Sequence, residues 1–110
     1  MPNSSPRLDL CEIDLTARLL GEGAAAATLT SIKGAVGEFG AAGALTTAAA
    51  CLALHEQTIP PLCNLRRPAR TDLVRFAPRQ GARQRIDSAL VLGLARGGAG
   101  AALLLRRASR

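Results

Sequence analysis

The sequence predicts an α/β fold, and three stretches carry that expectation. Residues 40–55 are an almost unbroken run of Ala, Gly and Leu, too long for a strand and without a polar helical face. Residues 86–94 and 99–105 are apolar strands joined by Ala95-Arg96-Gly97-Gly98, a glycine-containing hairpin turn. Thr28-Leu29-Thr30-Ser31-Ile32 reads as a further short strand before a turn at Gly34 and Gly37.

In chain order, residues 1–11 read as a leader, frayed over its first seven, and the domain as residues 12–107. Leu8, Leu10, Ile13, Leu15, Leu19 and Leu20 fall roughly on one face of a helix ending near Gly21 or Gly23. The strand at 28–33 follows. The helix at 40–55, apolar all round, is expected to be buried on all sides, with Cys51 inside as a small hydrophobe. Its small side chains allow neighbouring backbones to approach closely. Pro60 and Pro61 then force an extended segment, and residues 64–85, rich in Arg and Pro, read as a surface excursion without a core element.

Composition limits the core. The 110 residues suffice for one small domain, 48% of them hydrophobic, yet Phe39 and Phe76 are the only aromatic residues. Each buried Ala or Leu removes less area from water than an aromatic would, so the core is expected to be thin. The net charge of +6 is uneven: residues 66–110 hold eleven Arg against Asp72 and Asp87, whereas residues 1–65 are net acidic. That half could attract an acidic partner. Nucleic acid fits poorly, because there is no recognition helix and almost no aromatic stacking surface. Cys11, Cys51 and Cys63 lack metal-ligand spacing and, with one His, make no zinc site, so no metal is expected and a reducing cytoplasm is. Neither a secretory signal nor a membrane span is legible.

The run Ser31-Ile32-Lys33-Gly34-Ala35-Val36-Gly37-Glu38-Phe39-Gly40-Ala41-Ala42-Gly43-Ala44 resembles the β-ketoacyl synthase segment T-S-x-K-x-x-x-G-H-x-x-G-A-A-G-A, with a one-residue spacing variation. The resemblance continues through Ile59-Pro60-Pro61-Leu62-Cys63-Asn64-Leu65 and returns at residues 89–103, covering about residues 12–107. It implies a partial thiolase-like half-domain with a buried Ala/Gly-rich helix and a C-terminal β-hairpin. Family members transfer an acyl chain from an acyl carrier protein to a cysteine, then condense it with a malonyl-type extender. They use phosphopantetheine-bound acyl chains as substrate, and no cofactor is implied.

Carried over residue by residue, Lys33 matches the family's active-site lysine, Glu38 stands where the family has its second catalytic histidine, and Leu94 takes a position that shapes the acyl channel. The family's nucleophilic cysteine belongs to an N-terminal half, and its first catalytic histidine lies in a loop that nothing in residues 1–11 resembles. An ionised Glu38 accepts hydrogen bonds and cannot donate one to a developing enolate. A structural role is expected for it instead, complementing the dipole of the helix ahead or pairing with Lys33. Cys51 and Cys63 lack an adjacent base, and His55 suits the helix C-terminus.

The family's sheet order 3-2-1-4-5 would leave a two-strand gap here between the strand at 28–33 and that at 86–94, so the sheet must close differently or be filled. Two functional readings follow. In one, the chain is a ketosynthase C-terminal fragment or subunit serving fatty-acid or polyketide assembly, unable to condense alone, and either homodimeric or completed by a complementary half. In the other, it is a non-catalytic interaction protein whose Arg66, Arg67 and Arg70 bind an acidic acyl carrier protein or a ketosynthase.

Overall fold

In the computed structural model, residues 6–95 and 97–108 are described. Helix α1 (Pro6–Leu20) opens on a proline, which suits a first helical turn because that turn's N–H groups have no partner within the helix. The helix therefore includes residues 6–11, which the sequence had assigned to a leader. A 3-10 turn (Gly21–Ala25) leads into β1 (Thr28–Leu29), and one turn of helix, α2 (Lys33–Val36), follows. The expected strand at 28–33 is thus only two residues long, and Lys33 sits on helix.

Helix α3 (Ala42–Glu56) forms where expected, but it is not enclosed. Among its residues only Ala42, Ala53 and Leu54 are buried; Leu45, Cys51 and Leu52 are exposed, Leu52 at 62%. One face packs on the C-terminal hairpin and the other is open. The expectations of burial on all sides, and of an enclosed Cys51, are corrected accordingly: a helix with no polar face needs cover on every side, and packing on the hairpin and β2 leaves the face of Leu45, Cys51 and Leu52 open.

Gln57 ends α3. It takes the left-handed conformation at φ 52°, and its N–H donates to the Ala53 carbonyl. Its side-chain Nε2 donates to the carbonyls of Leu54 (2.7 Å) and Ile86 (2.8 Å), while Oε1 accepts from the Ile86 N–H (2.9 Å). The amide thus does for Ile86 what a neighbouring strand would do, and it ties the helix end to the start of the hairpin. His55, exposed 3.7 Å from Glu56, contributes far less.

Beyond Gln57 come β2 (Thr58–Ile59), β3 (Arg75–Phe76) and β4 (Ala82–Arg83), then β5 (Ser88–Leu94) and β6 (Gly100–Arg106). They form three separate two-stranded ladders: β1 parallel to β3, β2 antiparallel to β4, and the β5–β6 hairpin in register from Ser88↔Arg106 to Leu94↔Gly100. The gap between the strands near 28 and 88 is not closed into one sheet: β1 pairs with β3 in a separate ladder, and among the described residues β5 pairs with β6 alone. Arg75 reinforces the β1–β3 pairing, its Nε and Nη2 both donating to Thr28 Oγ1.

The 64–85 segment is therefore more than a surface excursion. Ala77 is buried with Ile59 and Leu62, and Leu65, Phe76 and Ile86 pack around them. Proline at 60 and 61 leaves this stretch extended, and a later segment supplies the apolar residues that cover it. No described helix is long and apolar enough to cross a membrane.

Gln57→Gly keeps the left-handed turn and removes only the amide, leaving the half-buried Ile86 N–H and carbonyl without it. We expect a loss of about 1–3 kcal/mol of unfolding free energy by urea titration, against near neutrality if the clamp is incidental.

Candidate functional site

Ser31, Lys33 and Glu38 converge around α2. Buried Ser31 accepts the Lys33 backbone N–H on its hydroxyl at 3.3 Å, fixing where the one-turn helix begins. The Lys33 side chain then lies largely covered, 12% exposed, with Nζ 3.0 Å from Glu38 Oε1, whereas the glutamate is 47% exposed. Glu38 lies three residues before Ala41, the cap of α3, and outside that helix's first turn. Of the two structural roles expected for it, the geometry gives the lysine pair. With one partner nearly half exposed, the pair contributes at most about 1 kcal/mol.

A second contact holds α2 from outside. Asn64, itself left-handed at φ 64°, donates from Nδ2 to the Gly34 carbonyl at 2.6 Å. At Gly34 the Cys63 backbone passes so close that a Cβ would collide with its carbonyl oxygen. The lysine turn and the segment after the two prolines are thus seated directly on each other. Asn64 and Gln57 are the site-shaping residues that sequence reasoning missed. The available signal was modest: asparagine tolerates left-handed backbone, and Gln57 is the polar residue that follows the last turn of α3.

The remaining candidates are dispersed. Leu94 is 65% exposed at the tip end of β5, so it shapes no enclosed channel in this chain. Arg66 and Arg67 are exposed, without an ion-pair partner among the described residues, and follow closely on Asn64. Arg70 differs from them: its Nη1 lies 2.8 Å from Asp14 Oδ1 and its Nε 3.5 Å from Asp72 Oδ1. Its charge is committed within the fold, docking α1 onto the 70–73 turn. Two open grooves, of 450 and 500 Å³, lie beside that turn, and Lys33, Glu38 and Leu94 line neither. Among the described residues no group of three or more His, Cys, Asp or Glu is placed to hold a metal ion.

Chemically the α2 site offers an ammonium held by a carboxylate, with free Cys63 on the segment seated against Gly34. Comparison with known proteins settles its ancestry. Residues 2–66 match the family described as β-ketoacyl synthase, C-terminal domain. The chain belongs to that family. The match takes in residues 2–11 as well, ahead of the boundary read from the sequence.

Related proteins agree. The chain is 32% identical over 105 residues to 3-oxoacyl-[acyl-carrier-protein] synthase 2 of Rhizobium meliloti (strain 1021), covering 94% of this chain and 25% of that protein. It is 35% identical over 91 residues to the tetracenomycin polyketide synthase ketoacyl synthase alpha subunit of Streptomyces glaucescens, covering 82% of this chain and 21% of the relative. To the beta subunit of the same organism it is 36% identical over 106 residues, 93% of this chain and 25% of the relative. The chain therefore spans about a quarter of the length of the relatives it matches. No solved structure matches.

Gly34→Ala should force the Cys63 carbonyl off the lysine turn. We expect a loss of about 1–3 kcal/mol by chemical denaturation, with the largest amide chemical-shift changes at residues 33–38 and 62–65. Small changes confined to residue 34 and its chain neighbours would contradict the close seating.

Proposed function

We propose that this chain acts as the C-terminal part of a ketosynthase in fatty-acid or polyketide assembly, does not condense acyl chains alone, and requires a complementary ketosynthase half or subunit. The observation that carries the reading is the open face of α3. Ala44, Leu45, Ala48, Cys51 and Leu52 are all exposed on a helix without a polar side, and an apolar surface of that kind marks an interaction site. The fold reading that accompanies it is a partial thiolase-like half-domain, with α3 as the helix meant to lie between two layers and β5–β6 as one of those layers.

Chemistry supports the same division of labour. Condensation needs a nucleophile for the acyl group and hydrogen-bond donors for the enolate. Glu38 supplies an acceptor already engaged by Lys33, so a donor set would come from the partner. The acyl chain would arrive on phosphopantetheine, with no cofactor held by this chain, and Leu94 would line the acyl channel only once the partner covers it. The setting proposed is the cytoplasm.

The test pairs the purified chain with the remaining N-terminal part of the Rhizobium meliloti relative, following carbon dioxide release from malonyl carrier protein. The chain alone should release none. Association with the complementary part should weaken tenfold or more in Leu52→Glu, a position exposed enough for the free chain to tolerate the charge. Release by the chain alone would overturn the proposal.

A second reading, docking of an acidic carrier protein without catalysis, is favoured by the open charges of Arg66 and Arg67. Replacing both with Glu should weaken carrier-protein binding several-fold in a salt-dependent manner. Arg70→Gln should weaken binding much less, because Arg70 is already paired; equal effects at all three would indicate charge attraction without a defined surface.

A further inference from the structure

We infer that helix α1 is a detachable strap, closed onto the 70–73 turn by the Arg70–Asp14 pair and released about Gly21 as ionic strength rises. This conformational device goes beyond the proposal above and involves neither the lysine turn nor the open face of α3.

The closed latch carries a cost. Arg70 lies in the left-handed region at φ 54°, which a long side chain adopts where its surroundings impose it. Its carbonyl accepts from the N–H groups of Leu73 (3.0 Å) and Val74 (3.4 Å), closing the turn, while its guanidinium is directed at Asp14 on α1. Asp14 Oδ1 is shut off from solvent, although its side chain is 41% exposed, and among the described residues no hydrogen bond reaches it. The 2.8 Å approach of Arg70 Nη1 is therefore charge against charge, without hydrogen-bond geometry. When that attraction is screened or removed, the closed arrangement keeps its costs and loses what offsets them.

Apolar cover of α1 is sparse. Ile13 and Thr16 are its buried residues, whereas Leu8, Leu15 and Leu19 are 60%, 60% and 71% exposed. An open groove of 500 Å³ is lined by Asp14, Ala17 and Arg18 from the helix and by Arg70 and Leu73 from the turn. The two surfaces thus meet at the latch without packing along their length.

The other end of the helix is free to turn. Gly21, left-handed at φ 52°, follows α1, and a side chain added there or at Gly23 would meet nothing within 4 Å. A junction in open space absorbs a rotation without collision. Away from the fold, a helix of fifteen residues is marginal in water. Release and loss of the helix are therefore one event, a local opening distinct from global unfolding.

The test is native-state amide hydrogen exchange of the full chain, comparing residues 10–20 with α3 and the β5–β6 hairpin. In wild type the α1 amides should exchange tenfold or more faster than the best protected amides of those elements. Raising salt from about 0.05 M to about 1 M, where screening shortens to about 3 Å, should speed α1 several-fold further and leave α3 unchanged. Asp14→Asn and Arg70→Asn should each lower α1 protection tenfold or more and abolish its salt dependence. Asparagine tolerates the left-handed backbone at 70, so the loss reports the charge. Asp72→Asn, which removes the other carboxylate near Arg70, should spare α1. The inference is overturned if wild-type α1 opens only with the whole fold or ignores salt. It is overturned equally if a latch variant leaves α1 protected or lowers α3 to the same extent, or if Asp72→Asn matches Asp14→Asn.

Discussion

Everything in this fold is organised around one constraint: a helix with no polar face packs on a two-stranded sheet, and among the described residues the face carrying Leu45 and Leu52 is left open. The apolar character of α3 leaves it no stable exposed orientation, yet its small side chains bury little area wherever they are covered. The hairpin accepts one face of the helix, and Gln57 ties the end of the helix to the residue ahead of the hairpin. No described side chain is less than 2% exposed, which is the quantitative form of a core that is lined but not closed.

The lysine turn is held by groups other than the ion pair that it carries. Ser31, Gly34 and Asn64 hold α2 by a hydroxyl, a missing side chain and an amide, and none of these depends on the residue at position 38. Lys33 reaches Glu38 at 3.0 Å from a turn that these other groups hold in place. A carboxylate facing an ammonium makes an ion pair, whereas catalysis at a carbonyl needs a donor left open toward the substrate.

Long apolar runs were legible and short pairings were not. Helix α3 and the hairpin are visible because their patterns persist over fifteen and seven residues. Strands β1 to β4, two residues each, carry no period, and their partners lie far along the chain: Thr28 with Arg75, Thr58 with Arg83. For the same reason the segment after Asn64 looked like a surface excursion although Ala77 is core. Lys33 and Glu38 are close in sequence, so their pairing was foreseeable. Arg70 was read as a free charge because Asp14, its partner, sits on a distant helix.

Two-stranded ladders have another consequence, which concerns the crowded cell more than the folded chain. Each of the three ladders has two edges, and β6 contributes seven residues, Gly100–Arg106, of which only the last is charged. A flat apolar edge of that length is a template for strand addition by any nascent chain with the same pattern. Arg106 and Arg107 stand at its end as gatekeepers, the cation placement that opposes fibrillar stacking while leaving the ladder intact. Charge at the end of β6 thus opposes strand addition along an edge that is otherwise apolar.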